Sequence, residues 1–392
     1  MDARLTESDV AGARVRETAA RARDWLFSDS LPLWAAVGHD NCHGGFFEQI
    51  DLATGAPLPL PKRCRVQARQ SYAFVEAGRL GWSGPWRERA ESGLSFMMRH
   101  HLRPDGLMRF KTALDGTAFD DSVDNYDQAF AMFALAHAHA MGARTNRTAL
   151  DLLAALKRER GHPLGGFREG KAGRAPLLSN PHMHFLEAAL AWLDAAPASQ
   201  WHDLADEIAR ACFAYFIDPQ SGALREYFEA DWTARAGEDG RIVEPGHQFE
   251  WAWLLARWRA HGGDVDISVI RRLYDFADQY GIDRSTSLAV SELSIDGAVK
   301  NRGARLWPQA ERMKAALMLA QFYPQERSRF EEDAIDSWRG LEIFIYPQNP
   351  GLFRDKRNSD GTFITEGALA SSLYHVIAAL SELIAYAAGG AR

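Results

Sequence analysis

The chain has 392 residues, 46% hydrophobic and 25% charged, with a formal net charge of −7. That length fills one large core or two medium ones, and an acidic balance with no basic block excludes nucleic acid and anionic membrane as expected partners. Three cysteines, Cys42, Cys64 and Cys212, are odd in number and lack metal-ligand spacing, so they read as reduced thiols of a cytoplasmic protein.

The segment 1–23 is polar and helical in character, with no signal-peptide core. No apolar run is expected to reach the roughly 20 residues of a membrane span. From there the dominant pattern is amphipathic helices rich in alanine, at 10–28, 66–80, 85–101, 125–141, 148–160, 181–195, 199–216, 247–261, 269–280, 309–322, 328–345 and 369–388. Between helix pairs stand short glycine turns flanked by apolar residues, marked by Gly45, Gly106, Gly166, Gly222, Gly297 and Gly351. These markers recur at intervals of 54 to 75 residues, a degenerate repeat of six helical hairpins. Polar residues recur near the start of the helix after each marker, which favours closure into a ring facing one pocket over an open solenoid. No linker or composition break divides the chain, so one domain, 1–392, is expected.

Taken in order, Arg63 and Arg65 read as a solvated charged face, whereas Arg69 lies among apolar neighbours and points inward. An inward guanidinium can hold a substrate hydroxyl or an enolate oxygen. Asp124 opens the helix carrying Tyr126 and reads as its N-cap. Asn180, His184 and Glu187 share one helical face, with Pro181 in the first turn. His182 and His184 diverge on a helix, with no H-x-x-x-H motif or Cys pair to support a metal. His247 and Glu250 share a face in the turn after Pro245-Gly246, and the apolar side of that helix turns both inward. A helix N-terminus disfavours an imidazolium, so a buried His247 is expected to be neutral and able to accept a proton. Trp307 follows as a sugar platform beside Glu311, and His375 stands on an apolar helical face that suits a core histidine as well as a functional one. His100, His101, His137, His139, His202 and His261 read as structural. Twelve Trp and 21 Phe in so polar a chain suit a carbohydrate site, where ring faces stack on C–H patches.

Six strings then carry a likeness: V-Q-A-R-Q at 66–70, D-N-Y-D-Q-A-F at 124–130, N-P-H-M-H-F-L-E-A at 180–188, E-P-G-H-Q-F-E-W-A-W-L-L at 244–255, L-W-P-Q-A-E at 306–311 and L-Y-H at 373–375. Together and in this order they resemble the N-acylglucosamine 2-epimerase family, over about residues 20–385. The resemblance implies an all-α (α/α)6 barrel. It implies His247 and His375 as the acid/base pair, with His184 at ring opening and Glu250 orienting a histidine. Arg69 would hold oxygens near C1 and C2, and Asn180, Tyr126, Trp307, Glu311 and Glu187 would bind substrate. No metal and no cofactor are expected; the partner is a monosaccharide, and a homodimer is admitted.

The C2 proton of an open-chain aldose is weakly acidic, so its removal needs a neutral base and a stabilised enediolate. Return to C2 from the opposite face gives the 2-epimer, and delivery to C1 gives the ketose. The Tyr374-His375 pair is similar to the mannose isomerase branch, which implies interconversion of mannose and fructose, with 2-epimerisation as the alternative. A phosphorylated sugar stays open because Arg63 and Arg65 would meet a phosphate. An (α/α)6 glycoside hydrolase, with carboxylates drawn from Asp124, Asp127, Glu250 and Glu311, and a helical-repeat interaction protein without chemistry are the rivals.

Overall fold

The apolar 3.6-residue periods of the chain are realised as thirteen α-helices among the described residues, 7–170 and 176–390, of a computed structural model. Residues 1–6 of the helical N-terminal segment lie outside those described. The helices are α1 (Glu7–Trp25), α2 (Leu31–Ala36), α3 (Cys64–Arg79), α4 (Trp86–Phe96), α5 (Asn125–Ala140), α6 (Asn146–Arg160), α7 (Ser179–Ala195), α8 (Ser199–Ala211), α9 (Pro245–Ala260), α10 (Ile267–Gly281), α11 (Leu306–Phe322), α12 (Arg327–Phe344) and α13 (Leu373–Ala387). Helices α3, α5, α7, α9, α11 and α13 pack side by side in that order, and α13 returns against α3. They form a closed inner ring. Helices α4, α6, α8, α10 and α12 each back the inner helix before them, while α1 covers α13 and α12. The sixth hairpin is thus assembled from the two extremes of the described chain. This is the (α/α)6 barrel.

Burial follows the layers. The inner helices are apolar or buried on nearly every side, and one contiguous core runs from Val15 to Leu383. One stretch does reach the length and apolarity of a membrane span, against the expectation: 370–387, of mean hydropathy 1.2. It contains inner helix α13, whose apolar side chains face the barrel core.

Each outer segment ends in a β-bridge that folds the chain back, at His39–Phe46, Leu102–Met108, Gly161–Phe167, Ile217–Leu224, Ile282–Ala289 and Ile345–Phe353. Five of these turns are tied to the next inner helix by one buried side chain. Gln67 accepts from the Phe46 N–H at 2.7 Å and donates to its carbonyl at 3.0 Å. Gln128 does the same for Met108, Gln248 for Leu224 and Gln309 for Ala289. In the third unit His182 takes this place, its Nε2 accepting from the Phe167 N–H at 2.9 Å and its Nδ1 bonded to the Leu178 carbonyl. His182 is therefore a structural strut.

The repeat corrects one marker. The fifth turn lies at 283–287, where Ser287 takes the left-handed conformation (φ 59°) just before Ala289. Gly297 instead turns an added antiparallel hairpin, Leu288–Ser294 with Val299–Arg305, which accounts for the longest interval.

The strut predicts an asymmetry measurable by urea unfolding. Gln248→Leu strands a buried N–H and a buried carbonyl and is expected to cost about 2–4 kcal/mol. His182→Gln restores the side chain used in the other units and is expected to stay within about 1 kcal/mol of the parent.

Candidate active site

The first turns of the inner helices open at one end of the ring. There Arg69, Tyr126, Asn180, His184, Glu244, His247, Glu250, Arg305, Trp307, Ser371, Ser372 and His375 line one polar cavity of about 130 Å³. Eight of the ten residues singled out in the sequence line it. Glu187 and Glu311 do not; they stand behind His184 and His375 as hydrogen-bond partners, and this corrects their expected place against substrate. Asp124 caps α5, accepting from the Tyr126 N–H at 2.9 Å.

Trp307 is the slab on which the two outermost imidazoles rest, with ring centroids 4.9 Å from His247 and 5.6 Å from His375. The slab fits because residue 246 is glycine: a Cβ there would lie 2.4 Å from the Trp307 ring. Both histidines are nearly buried and each has Nδ1 fixed by a carboxylate, His247 by Glu226 at 2.9 Å and His375 by Glu311 at 2.7 Å. The remaining nitrogen, Nε2, is left to the cavity. His184 is fixed in the same way by Glu187 at 3.1 Å, and Glu187 also accepts from the Tyr374 hydroxyl.

The surroundings drive these imidazoles apart. Burial pulls His247 down, but the carboxylates of Glu226 and Glu244 outweigh it and push its pKa up to about 10. The neutral His247 expected from the helix N-terminus is thus corrected: the carboxylates dominate and the ring is an imidazolium. His375 moves the other way, well below the ordinary value, through burial first and then the cations Arg69 and Lys314. His184 is lowered to about 4, chiefly by burial. The cavity therefore holds one imidazolium and two neutral rings.

Glu250 also departs from expectation. Neither of its oxygens makes a hydrogen bond, and Oε1 lies 3.8 Å from His184 Nδ1, so it fixes no histidine in this state. Burial, then the carboxylates of Glu311 and Glu187, raise it well above the usual range, against the pull of Lys314. Arg69 is pinned: it donates to the Ser371 carbonyl at 3.2 Å and to the Tyr126 hydroxyl, and its guanidinium lies 4.1 Å from the Phe130 ring. Asn180 presents an Oδ1 with no hydrogen-bond partner.

Arg63 and Arg65 are not a solvated face. Arg63 is held by Glu48 at 2.6 Å, and Arg65 by Asp127 at 2.8 Å and by Asp124, so neither reaches the cavity. Sequence reasoning missed Glu226, Glu244, Arg305 and the Ser371–Ser372 pair. Glu244 opens the string at 244–255 and Arg305 and the serines directly precede two others, while Glu226 stands 21 positions before His247 with no periodicity to mark it. By distance alone, three groups bring donor atoms within 4.8 Å of one another and could approach a cation: His184–Glu187–Glu250, Glu226–Glu244–His247 and Glu250–Glu311–His375. In each, the imidazole Nδ1 already meets a carboxylate.

A helical ring that holds an imidazolium and a neutral imidazole against one tryptophan is equipped for proton transfer on a small polar molecule. The chain belongs to the N-acylglucosamine 2-epimerase (GlcNAc 2-epimerase) family, whose sequence profile matches residues 45–379, and it is a sugar isomerase/epimerase. It is 42% identical over 395 residues, 98% of each chain, to a protein of Rhizobium meliloti (strain 1021) named mannose-6-phosphate isomerase. It is 30% identical over 344 residues to the D-mannose isomerase of Thermobifida fusca, covering 79% of this chain and 81% of that one. In fold it matches the cellobiose 2-epimerase of Spirochaeta thermophila with a TM-score of 0.84 at 23% identity, over 96% of this chain and 98% of the other.

Catalysis that uses the His247 imidazolium is expected to be lost as pH rises through about 10, where the ring gives up its proton. Glu226→Gln removes the carboxylate at Nδ1, and the alkaline limb of kcat/KM is expected to move down by about 1–3 pH units.

Proposed function

We propose that the enzyme interconverts D-mannose and D-fructose by proton transfer through an enediolate. The observation that carries this reading is the pair of unlike imidazoles on Trp307. In the proposed path, the Glu250 acid and His184 assist ring opening. Neutral His375 then removes the C2 proton with Nε2, while the His247 imidazolium donates a proton to O1. Arg69 stabilises the enediolate oxygens as charge develops, and its pinned guanidinium needs no reorganisation to do so. His375, after its bound proton exchanges with solvent, protonates C1 and His247 recovers a proton from O2, which leaves the ketose and the enzyme in its starting state. These residues supply base, acid and oxyanion partner, so the path is written without a metal, and turnover is expected to survive dialysis against a chelator.

An unphosphorylated sugar fits this lining better than a phosphosugar. Arg63 and Arg65 are committed to buried carboxylates, Arg305 is held by Asp355 at 3.0 Å, and Glu244 and Glu250 face the cavity. The name of the Rhizobium relative marks the contrary case, and the two are separated by comparing kcat/KM for mannose and mannose 6-phosphate. Mannose is expected to be favoured by a factor on the order of ten or more, since a dianion without an uncommitted guanidinium to meet it stays poorly paired.

The 2-epimerase reading rests on the same two rings, with His247 delivering its proton to C2 from the face opposite His375. The names of the two relatives favour the isomerase. Proton NMR of mannose with the enzyme in deuterium oxide decides between them. The expected product is fructose with deuterium at C1; glucose with deuterium at C2 would overturn isomerisation. His247→Ala and His375→Ala are each expected to abolish turnover with folding retained, by circular dichroism.

A further inference from the structure

Beneath the cavity lies a charge that the proposed path does not use. Lys314, one helical turn after Glu311 on α11, is 1% exposed and forms no part of the cavity wall. Its Nζ is 2.6 Å from Glu311 Oε2, and the other oxygen of that carboxylate is 2.7 Å from His375 Nδ1. The face of Trp253 closes over the ammonium at 3.9 Å. Lys314, Glu311 and His375 thus form one line from the barrel interior to the cavity. Removing an ammonium from water into such a place is costly, and a methionine would fill the same volume without that cost.

We infer that Lys314 is a positioning residue for the proton-transfer reaction, its ammonium holding Glu311 as a carboxylate so that the Glu311–His375 pair does not take up the extra proton that would silence Nε2. The inference rests on the proposed role of His375 as base. Its logic does not depend on which atom would carry that proton. On the imidazole, it occupies the lone pair. On Glu311, it turns the hydrogen bond round, so that Nδ1 accepts and Nε2 carries the ring hydrogen. In both forms the cavity meets an N–H instead of a base.

The other charged and titratable groups around this line are Glu187 and His184 from α7, Glu250 and His247 from α9, Arg69 from α3, Arg305 before α11, and Tyr374 beside His375 on α13. Of these, the two carboxylates face Lys314 along with Glu311, so the single ammonium is shared among three acids. Glu311 still sits at about 7, raised chiefly by burial and lowered by Lys314, so a modest loss of positive charge tips it. Arg69 and Arg305 also repel a proton from His375, but neither touches Glu311.

The test uses the full chain with Lys314→Met, Glu311→Gln and the double variant. It follows the acid limb of kcat/KM for mannose and, separately, the ¹⁵N shift of the His375 ring across pH. Lys314→Met is expected to move the acid limb, and the pH at which Nε2 loses its lone pair, upward by about 1–3 units, the usual effect of a charge at this range. The double variant is expected to bring both back toward the parent, because the amide oxygen of glutamine still accepts from Nδ1 and no longer titrates. Glu311→Gln alone leaves the ammonium unneutralised beside His375 and is expected to move both downward, which tests the inference even if Lys314→Met does not fold. Unchanged limbs in the folded single variants, or shifts of the opposite sign, overturn it. If the parent does not turn over mannose at all, the isomerase reading falls, while the ¹⁵N titrations still judge the role of Lys314.

Discussion

Across one seam of the ring, Arg69 and Gln70 on α3 donate to the carbonyls of Ser371 and Ala370, and Ser381 on α13 donates to Glu76 on α3. The short strands Gln49–Ile50 and Ala368–Leu369 pair beside it. These contacts join residues some three hundred positions apart, and they set His375 opposite His247. Loop-closure entropy grows only with the logarithm of length, so drawing such distant segments together costs little more than closing a single hairpin pair. The seam pairs buried donors with acceptors on the facing segment, Gln70 Oε1 and Arg69 Nε alone among these side chains being left over, and that pairing makes closure specific as well as favourable. Arg69 belongs at once to the seam and to the cavity, so the element that closes the barrel also supplies the cation facing substrate.

Within that ring the chemistry comes from unequal environments around identical side chains. His247, His375 and His184 share burial and a carboxylate at Nδ1; His247 has a second carboxyl, Glu244, at 4.0 Å that pushes it up, whereas the second carboxyl near His184, Glu250 at 3.8 Å, is itself pushed toward its neutral form. His375 has instead Arg69 in front and Lys314 behind its carboxylate. Desolvation alone would leave all three neutral, and the count of nearby charges separates acid from base. Glu250 shows the same rule in a carboxylate. With other acids around it and no donor to bond, its pKa is pushed well above the usual carboxylate range.

The helices and the six-fold repeat were legible because inner helices must be apolar all round and outer ones on one side, a pattern that survives any detail of packing. Eight cavity residues could be read as well, since they sit in the first turns of inner helices, where helical period fixes direction. The partners of these residues were much less legible. Glu226 reaches His247 from a loop, and only the packing of that loop onto the first turn of α9 brings them together. The same gap misled the reading of His247, because a helix dipole is weaker than two carboxylates at close range. Arg63 and Arg65 looked solvated because Glu48 and Asp127, which hold them, lie far off in sequence. The glutamine strut was invisible as a motif, although Gln67, Gln128, Gln248 and Gln309 occupy matching places. It needed the turns they grip to give it meaning.

The order in which the ring is made has a bearing on the living cell. Arg69, His184 and His247 are translated well before His375, and the helix that brings the last of them has to dock on both α11 and α3. A chain still on the ribosome can stack five hairpins and hold His184 and His247 at their mouth, yet it lacks the His375 ring that the proposed path uses as base. On the proposed path, turnover therefore waits for α13 to dock, and a fragment truncated before α13 is expected to be inert toward sugars while its apolar flanks stand exposed.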